Sequence, residues 1–187
     1  VSVPEGALFQ RILESPAGES LIKEWMLDMV QGRLFSGYGI HDAGAATAAH
    51  VQLWNPSDRH TLFVRGFIAA SNADAAVTWG ISSTELNISP NLGVASGNLM
   101  GHPSVLRQSI ARIKASAFVP PAPWSSSEHL SIGNMRVNND SPLSLLGFPM
   151  LLILGPGRGL TCGLSQLDLI FRVTFFWKEV TAIPGMG

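Results

Sequence analysis

The stretch "DLIFRVTFFWKEV", residues 168–180, constrains the fold more than any other. Every second residue from Leu169 to Trp177 is large and apolar: Leu169, Phe171, Val173, Phe175, Trp177. The interleaved row is mixed: Ile170, Arg172, Thr174, Phe176, Lys178. A period of two is the mark of a strand with one face on a core. Ile170 and Phe176 on the other row raise the question of what covers them.

Upstream, the same texture recurs. "AHVQLW" (49–54) alternates and ends at "NPSD", a turn signal. "HTLFVRGFIAAS" (60–71) sets Leu62, Val64 and Ile68 against Phe63, Arg65 and Phe67. "NAD" turns the chain into "AAVTWGIS" (75–82), where Val77, Trp79 and Ile81 share a face. Two strand patterns joined by a short polar turn predict a hairpin. Residues 83–104 read as loop, with one short strand near Leu92 to Ala95. "VLRQSIARIKASAF" (105–118) fits helix or strand, and its neighbours favour strand. "EHLSIG" and "MRVNND" are short strands, "LLIL" (151–154) a buried run, and "GPGRG" a tight turn before "LTCGL".

The first 32 residues differ. "PEGALFQRILE" opens with proline and an acid, which suit the unpaired N–H groups of a helix start. In "SPAGESLIKEWMLDMVQG", Leu21, Ile22, Trp25, Met26, Met29 and Val30 fall at helical spacing, and Lys23, Glu24 and Asp28 are expected to face away. The division expected is a helical arm at 1–32 and a β domain at 33–187. About seven to nine short strands, turns every ten or so residues and no parallel crossovers point to an antiparallel β-sandwich, jelly-roll-like, with an N-terminal helical arm.

Composition bears on partners. Hydrophobic residues make up 46% and charged residues 13%, against about 25% charged in an average globular chain. So neutral a surface implies cover by other chains. Trp54, Phe63, Phe67, Ile170 and Phe176 are expected on outer faces. Gathered together they would exceed the roughly 300–600 Å² of apolar patch usual on a monomer. Each large side chain removed from water contributes roughly 1.5–3 kcal/mol. The candidate interface residues are therefore Leu21, Ile22, Trp25, Met26, Met29, Phe63, Phe67, Ile170 and Phe176. The formal net charge is −1 with no basic stripe, so neither nucleic acid nor an anionic membrane is an expected partner.

Catalytic chemistry finds little support. The single cysteine, Cys162, rules out an internal disulfide and a cysteine zinc cage, and reads as a small buried hydrophobe. The five histidines, His41, His50, His60, His102 and His129, show no HxH or HExxH spacing. Glu85, Glu128 and Glu179 lie too far apart in sequence to read as an acid/base pair. "GPGRG" lacks the lysine and hydroxyl of a phosphate loop, and no serine sits in a G-x-S-x-G elbow. No catalytic residue, cofactor or metal is expected. The start has no basic n-region or apolar h-region, and no apolar run is long enough to span a bilayer as a helix, so manufacture in a reducing cytoplasm is expected. Trp124, in "PPAPWSSS", is the best placed aromatic to stack on a sugar.

Two stretches carry a resemblance: "HVQLWNPSDRHTLFVRGFIAAS" and "GPGRGLTCGLSQLDLIFRVTFFWKEV". Together with the flanking strands, roughly residues 48–82 and 143–180, they resemble virion proteins of tailed bacteriophages, whose terminal pattern is a P-G-x-G-L turn, a short strand, and a long strand ending Trp-x-Glu, here Trp177 and Glu179. The resemblance implies a small β-sandwich component of the particle: capsid decoration or cement, or a collar, tail or fibre piece. It carries no catalytic residues. The partners implied are other copies of the chain, a trimer being expected, and the major capsid protein or other virion proteins. The foremost expectation is a decoration subunit that stabilises the particle. The alternative is a tail or fibre module for host attachment or glycan binding, motivated by Trp124, Tyr38 and the 83–104 loop.

Overall fold

A computed structural model of the chain describes residues 27–28, 33–86, 97–98, 109–119, 129–138, 142–146 and 152–181. These residues are almost wholly β. The strands are β1 (Leu34–Asp42), β2 (Ala48–Asn55), β3 (His60–Ser71), β4 (Ala75–Ser82), β5 (Gly97–Asn98), β6 (Arg112–Phe118), β7 (His129–Val137), β8 (Leu143–Leu146), β9 (Leu152–Leu154), β10 (Arg158–Leu164) and β11 (Ile170–Thr181). They form two antiparallel sheets. Sheet A runs β5-β1-β11-β3-β8, with β9 also on β3, and sheet B runs β6-β2-β10-β4-β7.

One apolar core lies between the sheets. Phe171, Val173, Phe175 and Trp177 of β11 are buried as the alternation requires, and Leu169 packs against the same core. Phe35 stacks on Trp177 at 6.0 Å, and Phe67 of sheet A meets Trp79 of sheet B edge-on at 5.7 Å. Cys162 is buried there as a small hydrophobe, and burial pushes its thiol pKa well up. Glycine sets the spacing at one end. A Cβ on Gly37 would come within 2.5 Å of Ile113 Cδ1, and one on Gly39 within 2.4 Å of Val51 Cγ1. The "GYG" of β1 thus lets the facing strands close onto it.

Among the described strands, no pairing joins two that follow one another in the chain. This overturns the hairpin expected over residues 60–82. β3 pairs with β11, β8 and β9 in sheet A, whereas β4 pairs with β10 and β7 in sheet B. The turn at Asn72 is a corner between sheets. It is tied to β11, not to β4: Asn72 Oδ1 accepts from Ile170 N at 2.9 Å, and Asn72 N donates to Ile170 O at 3.3 Å.

A second correction concerns Phe67. It lies in the core with no exposed surface, while Ile68 takes the outer side opposite Thr174. The cause is a β-bulge. Val64 pairs with Trp177 and Gly66 with Phe176, so Arg65 is an extra residue that no residue of β11 opposes. One extra residue inverts the inside–outside order of everything after it. Leu62 and Val64 point inward before the bulge, and Phe67, Ala69 and Ser71 after it. β8 and β9 share the far edge of β3 on the two sides of this bulge.

"LLIL" is not a uniformly buried run. In β9 Leu154 is buried, but Ile153, opposite Phe63, is half exposed on the outer side. Within "EHLSIG" and "MRVNND", His129–Val137 forms one strand, β7, with Ile132 as its bulged residue: Trp79 pairs with Gly133 and Gly80 with Ser131. Of 105–118, Arg112–Phe118 is strand, as the neighbours favoured. Leu21, Ile22, Trp25, Met26 and Met29, the short strand near Leu92, and Trp124 lie outside the described residues.

Candidate packing surfaces

The outer side of sheet B is closed over β2 and β10. Register places His50, Gln52 and Trp54 of β2, Thr161 of β10, Ser82 of β4 and Ser116 of β6 on that side, and all are buried. Gln52 is the hub. The two N–H groups of its Nε2 are shared among Ser82 Oγ at 2.6 Å, Thr161 Oγ1 at 3.0 Å and Thr84 O at 3.0 Å, and its Oε1 accepts from Leu86 N at 2.9 Å. Ser82 and Thr161 also bond each other at 3.1 Å. A buried amide with every group engaged fixes its surroundings, whereas a half-satisfied one would cost free energy. The chain just after β4 is thereby held down on the sheet. Glu85 adds contacts to Arg112 at 3.5 Å and Lys114 at 3.4 Å on β6.

Two glycines of β10 make room for the larger side chains here. A Cβ on Gly163 would lie 2.1 Å from His50 Cδ2, and one on Gly159 2.9 Å from Trp54 Cε3. The imidazole of His50 lies over Gly163, edge-on to Phe118 at 5.0 Å, and its Nδ1–H donates to Ala48 O at 3.0 Å. Burial lowers the His50 pKa to about 4. The Ala48 carbonyl opposes that shift, and His129 and His41 add to it.

The outer side of sheet A is built differently. Across one row the register sets Ile153, Phe63, Lys178 and Leu34 side by side, and the next row holds Gly66, Phe176 and Ser36. Phe63 and Phe176 are both half-buried, so the structure brings these two candidates together. Ile170 stands apart, roughly 20 Å along β11. It borders a hollow of about 210 Å³ shared with Ala70, Ser71, Asn72 and Arg172.

Asp28 sits over the first of those rows. Its carboxylate meets Lys178 Nζ at 2.6 Å and Arg65 at 3.8 Å, and only 2% of it is exposed. This corrects the expectation that Asp28 faces away. Leu27 and Asp28 are helical, and Arg33 N donates back to Asp28 O at 2.9 Å before β1 begins. The bulge that turns Phe67 inward also releases Arg65 from the pairing with β11. Leu34 is buried although its register puts it on the outer side opposite Lys178.

The Trp-x-Glu ending has a structural explanation. Trp177 and Glu179 are two apart in a strand and share the inner face. Glu179 Oε1 accepts from Trp177 Nε1 at 3.3 Å, from Ile110 N at 3.0 Å and from Ser109 Oγ. The buried carboxylate knots the start of β6 to the end of β11. Burial of Glu179 in these contacts is a structural role that sequence spacing between acids did not reveal.

The third surface is an edge. Among the described residues β7 ends sheet B, with Leu130 68% exposed, Ile132 47% and Met135 38%. A long edge strand carrying large apolar side chains is a template for another chain. Among the described residues no group of three His, Cys, Asp or Glu side chains gathers as a metal would need. Tyr38, half exposed on sheet A, is the one aromatic of the glycan expectation among the described residues. Compared with protein-family models, curated proteins and solved structures, the chain matches none.

Proposed function

We propose that the chain is a structural subunit of a bacteriophage virion, a capsid decoration or cement protein that stabilises the particle by packing against copies of itself and against the major capsid protein. The strand order supports a jelly-roll sandwich: β1-β11-β3-β8 faces β2-β10-β4-β7, with β6 added beside β2. The observation that carries the reading is the apolar strip of Leu130, Ile132 and Met135 on the β7 edge. Closed symmetry is the usual way identical subunits hide such a strip, and a trimer fits a three-fold position on a shell.

The test has two arms. Light scattering of the purified chain is expected to give a stable oligomer, and co-sedimentation with assembled capsid shells stripped of decoration is expected to give saturable binding. Leu130→Glu with Ile132→Glu should abolish both while leaving the melting temperature within a few degrees, since neither side chain is in the core. A wild-type monomer that ignores shells ends the proposal.

A further inference from the structure

The hollow beside Ile170 brings together an apolar wall and hydrogen-bond donors that no acceptor of the fold engages. It has a volume of about 210 Å³ and is lined by Ala70, Ser71, Asn72, Ile170 and Arg172. Ile170 and Arg172 are two apart on β11 and share its outer side, since Phe171 between them is buried in the core. Ala70 of β3 stands opposite Arg172. Ile170 and Ala70 supply the apolar wall. Ser71 points inward, opposite Phe171, and offers the hollow no side-chain donor.

The donors come from Arg172 and Asn72. Arg172 is exposed and makes no ion pair or side-chain hydrogen bond among the described residues. Asn72 Oδ1 accepts from Ile170 N at 2.9 Å, which fixes the carboxamide and leaves its two Nδ2 N–H groups without an acceptor among the described residues. Donors with no acceptor beside one hollow select a ligand rich in acceptors, and the guanidinium selects an anion. A carboxylate matches the planar fork of arginine with two parallel bonds. Asp42 sets an upper limit on the ligand's charge. It stands opposite Ile170 across β1, so a second negative charge on the ligand would be repelled. One guanidinium with an acid nearby suits a monoanion better than a phosphate dianion. Size points the same way. A cavity of about 150 Å³ holds benzene, so this hollow has room for a carboxylate carried on a ring or on a chain of several carbons.

We propose that this hollow is a binding site for a small organic carboxylate, with the anion on Arg172 and Asn72 and the carbon skeleton against Ile170 and Ala70. The site stands independently of the virion reading and of the β7 strip. Short aliphatic acids and acidic sugars both carry the required chemistry, and the test separates them.

The whole chain, isotope-labelled at its arginine and asparagine side chains, is titrated by NMR with butyrate, glucuronate, uncharged butyramide and inorganic phosphate. Butyrate or glucuronate is expected to shift the Arg172 Nε and Asn72 Nδ2 signals to saturation, with a Kd of about 1–10 mM, and the tighter of the two identifies the skeleton. Butyramide is expected to bind at least about tenfold more weakly, since it keeps the shape and loses the charge. Arg172→Gln changes an exposed side chain and should weaken butyrate and glucuronate at least about tenfold. Asn72→Asp keeps an oxygen for Ile170 N but replaces the free donors with a negative charge. It should abolish the Arg172 shifts while circular dichroism shows the fold retained. The absence of any shift with either carboxylate would overturn the proposal. So would equal binding of butyrate and butyramide, tighter binding of phosphate, or an unchanged affinity in Arg172→Gln.

Discussion

The two sheets share one core and one strand geometry, yet treat their outer sides in opposite ways. Over β2 and β10, sheet B's outer side is sealed by a polar network around Gln52, packed onto glycines and bordered by the Glu85 ion contacts. Sheet A's outer side carries half-buried aromatic rings and a charged clasp, and it keeps part of its surface open. A neutral network with every group satisfied makes a permanent closure, because separating it strands several partners at once. The buried ion clasp at Asp28 fixes only the spot it covers, and the aromatic rings around it stay partly exposed. One side is thus closed within the fold around β2 and β10, and the other keeps large apolar side chains partly exposed.

Substitutions measure that contrast directly. The largest effect is expected at the hub. Gln52→Leu strands Leu86 N–H and Thr84 C=O and should remove about 4 kcal/mol in urea denaturation. A loss under 1 kcal/mol would show that the closure of sheet B is incidental. Acid should have the next largest effect. The folded His50 has a pKa of about 4, below the ordinary 6.5, so as pH falls the unfolded chain takes up the proton first. Stability is intact above about 6.5, declines between 6.5 and 4, and below 4 the loss is complete at about 3 kcal/mol. His41, also lowered by burial, adds in the same direction. Denaturant midpoints across that pH range are the measurement, and His50→Leu should flatten the slope.

Gly163→Ala comes third. Its methyl would collide with the His50 ring, and about 2 kcal/mol is expected to be lost by thermal unfolding. The smallest effect belongs to sheet A, where Phe176→Ser in the isolated protein should cost no more than about 1 kcal/mol. A cost above that of Gly163→Ala would mean that Phe176 is a core residue in all but position, and the contrast between the two sides would fail.

Much of this architecture was legible in the chain itself. The alternation from Leu169 to Trp177 marks a strand on a core, and the antiparallel two-sheet arrangement follows from repeated short strands. Phe67 was misread because a bulge leaves no trace in residue type: Arg65 looks like any polar member of an alternating strand, and only the pairing with β11 shows it is supernumerary. The hairpin at residues 60–82 failed for a related reason. A short polar turn fits a corner between sheets as well as a hairpin, and the choice rests on partners far away in the chain. The Gln52 hub had a visible sign, a polar residue amid an otherwise tightly buried strand, but its partners at Ser82, Thr84, Leu86 and Thr161 lie up to 109 residues away. Asp28 was assigned outward by helical spacing, which orders residues around a helix but cannot name the side that meets a partner.

The placement of β11 between β1 and β3 bears on how the protein must be made. A ribosome that has delivered residues 34–169 has produced β1 and β3 but not the strand that pairs with both. Phe35, Leu62 and Val64 then wait in water for Trp177 and its neighbours to emerge. A nascent chain of this kind is open to aggregation until β11 is synthesised, so its yield in a cell should depend on chaperone supply more than its final stability suggests.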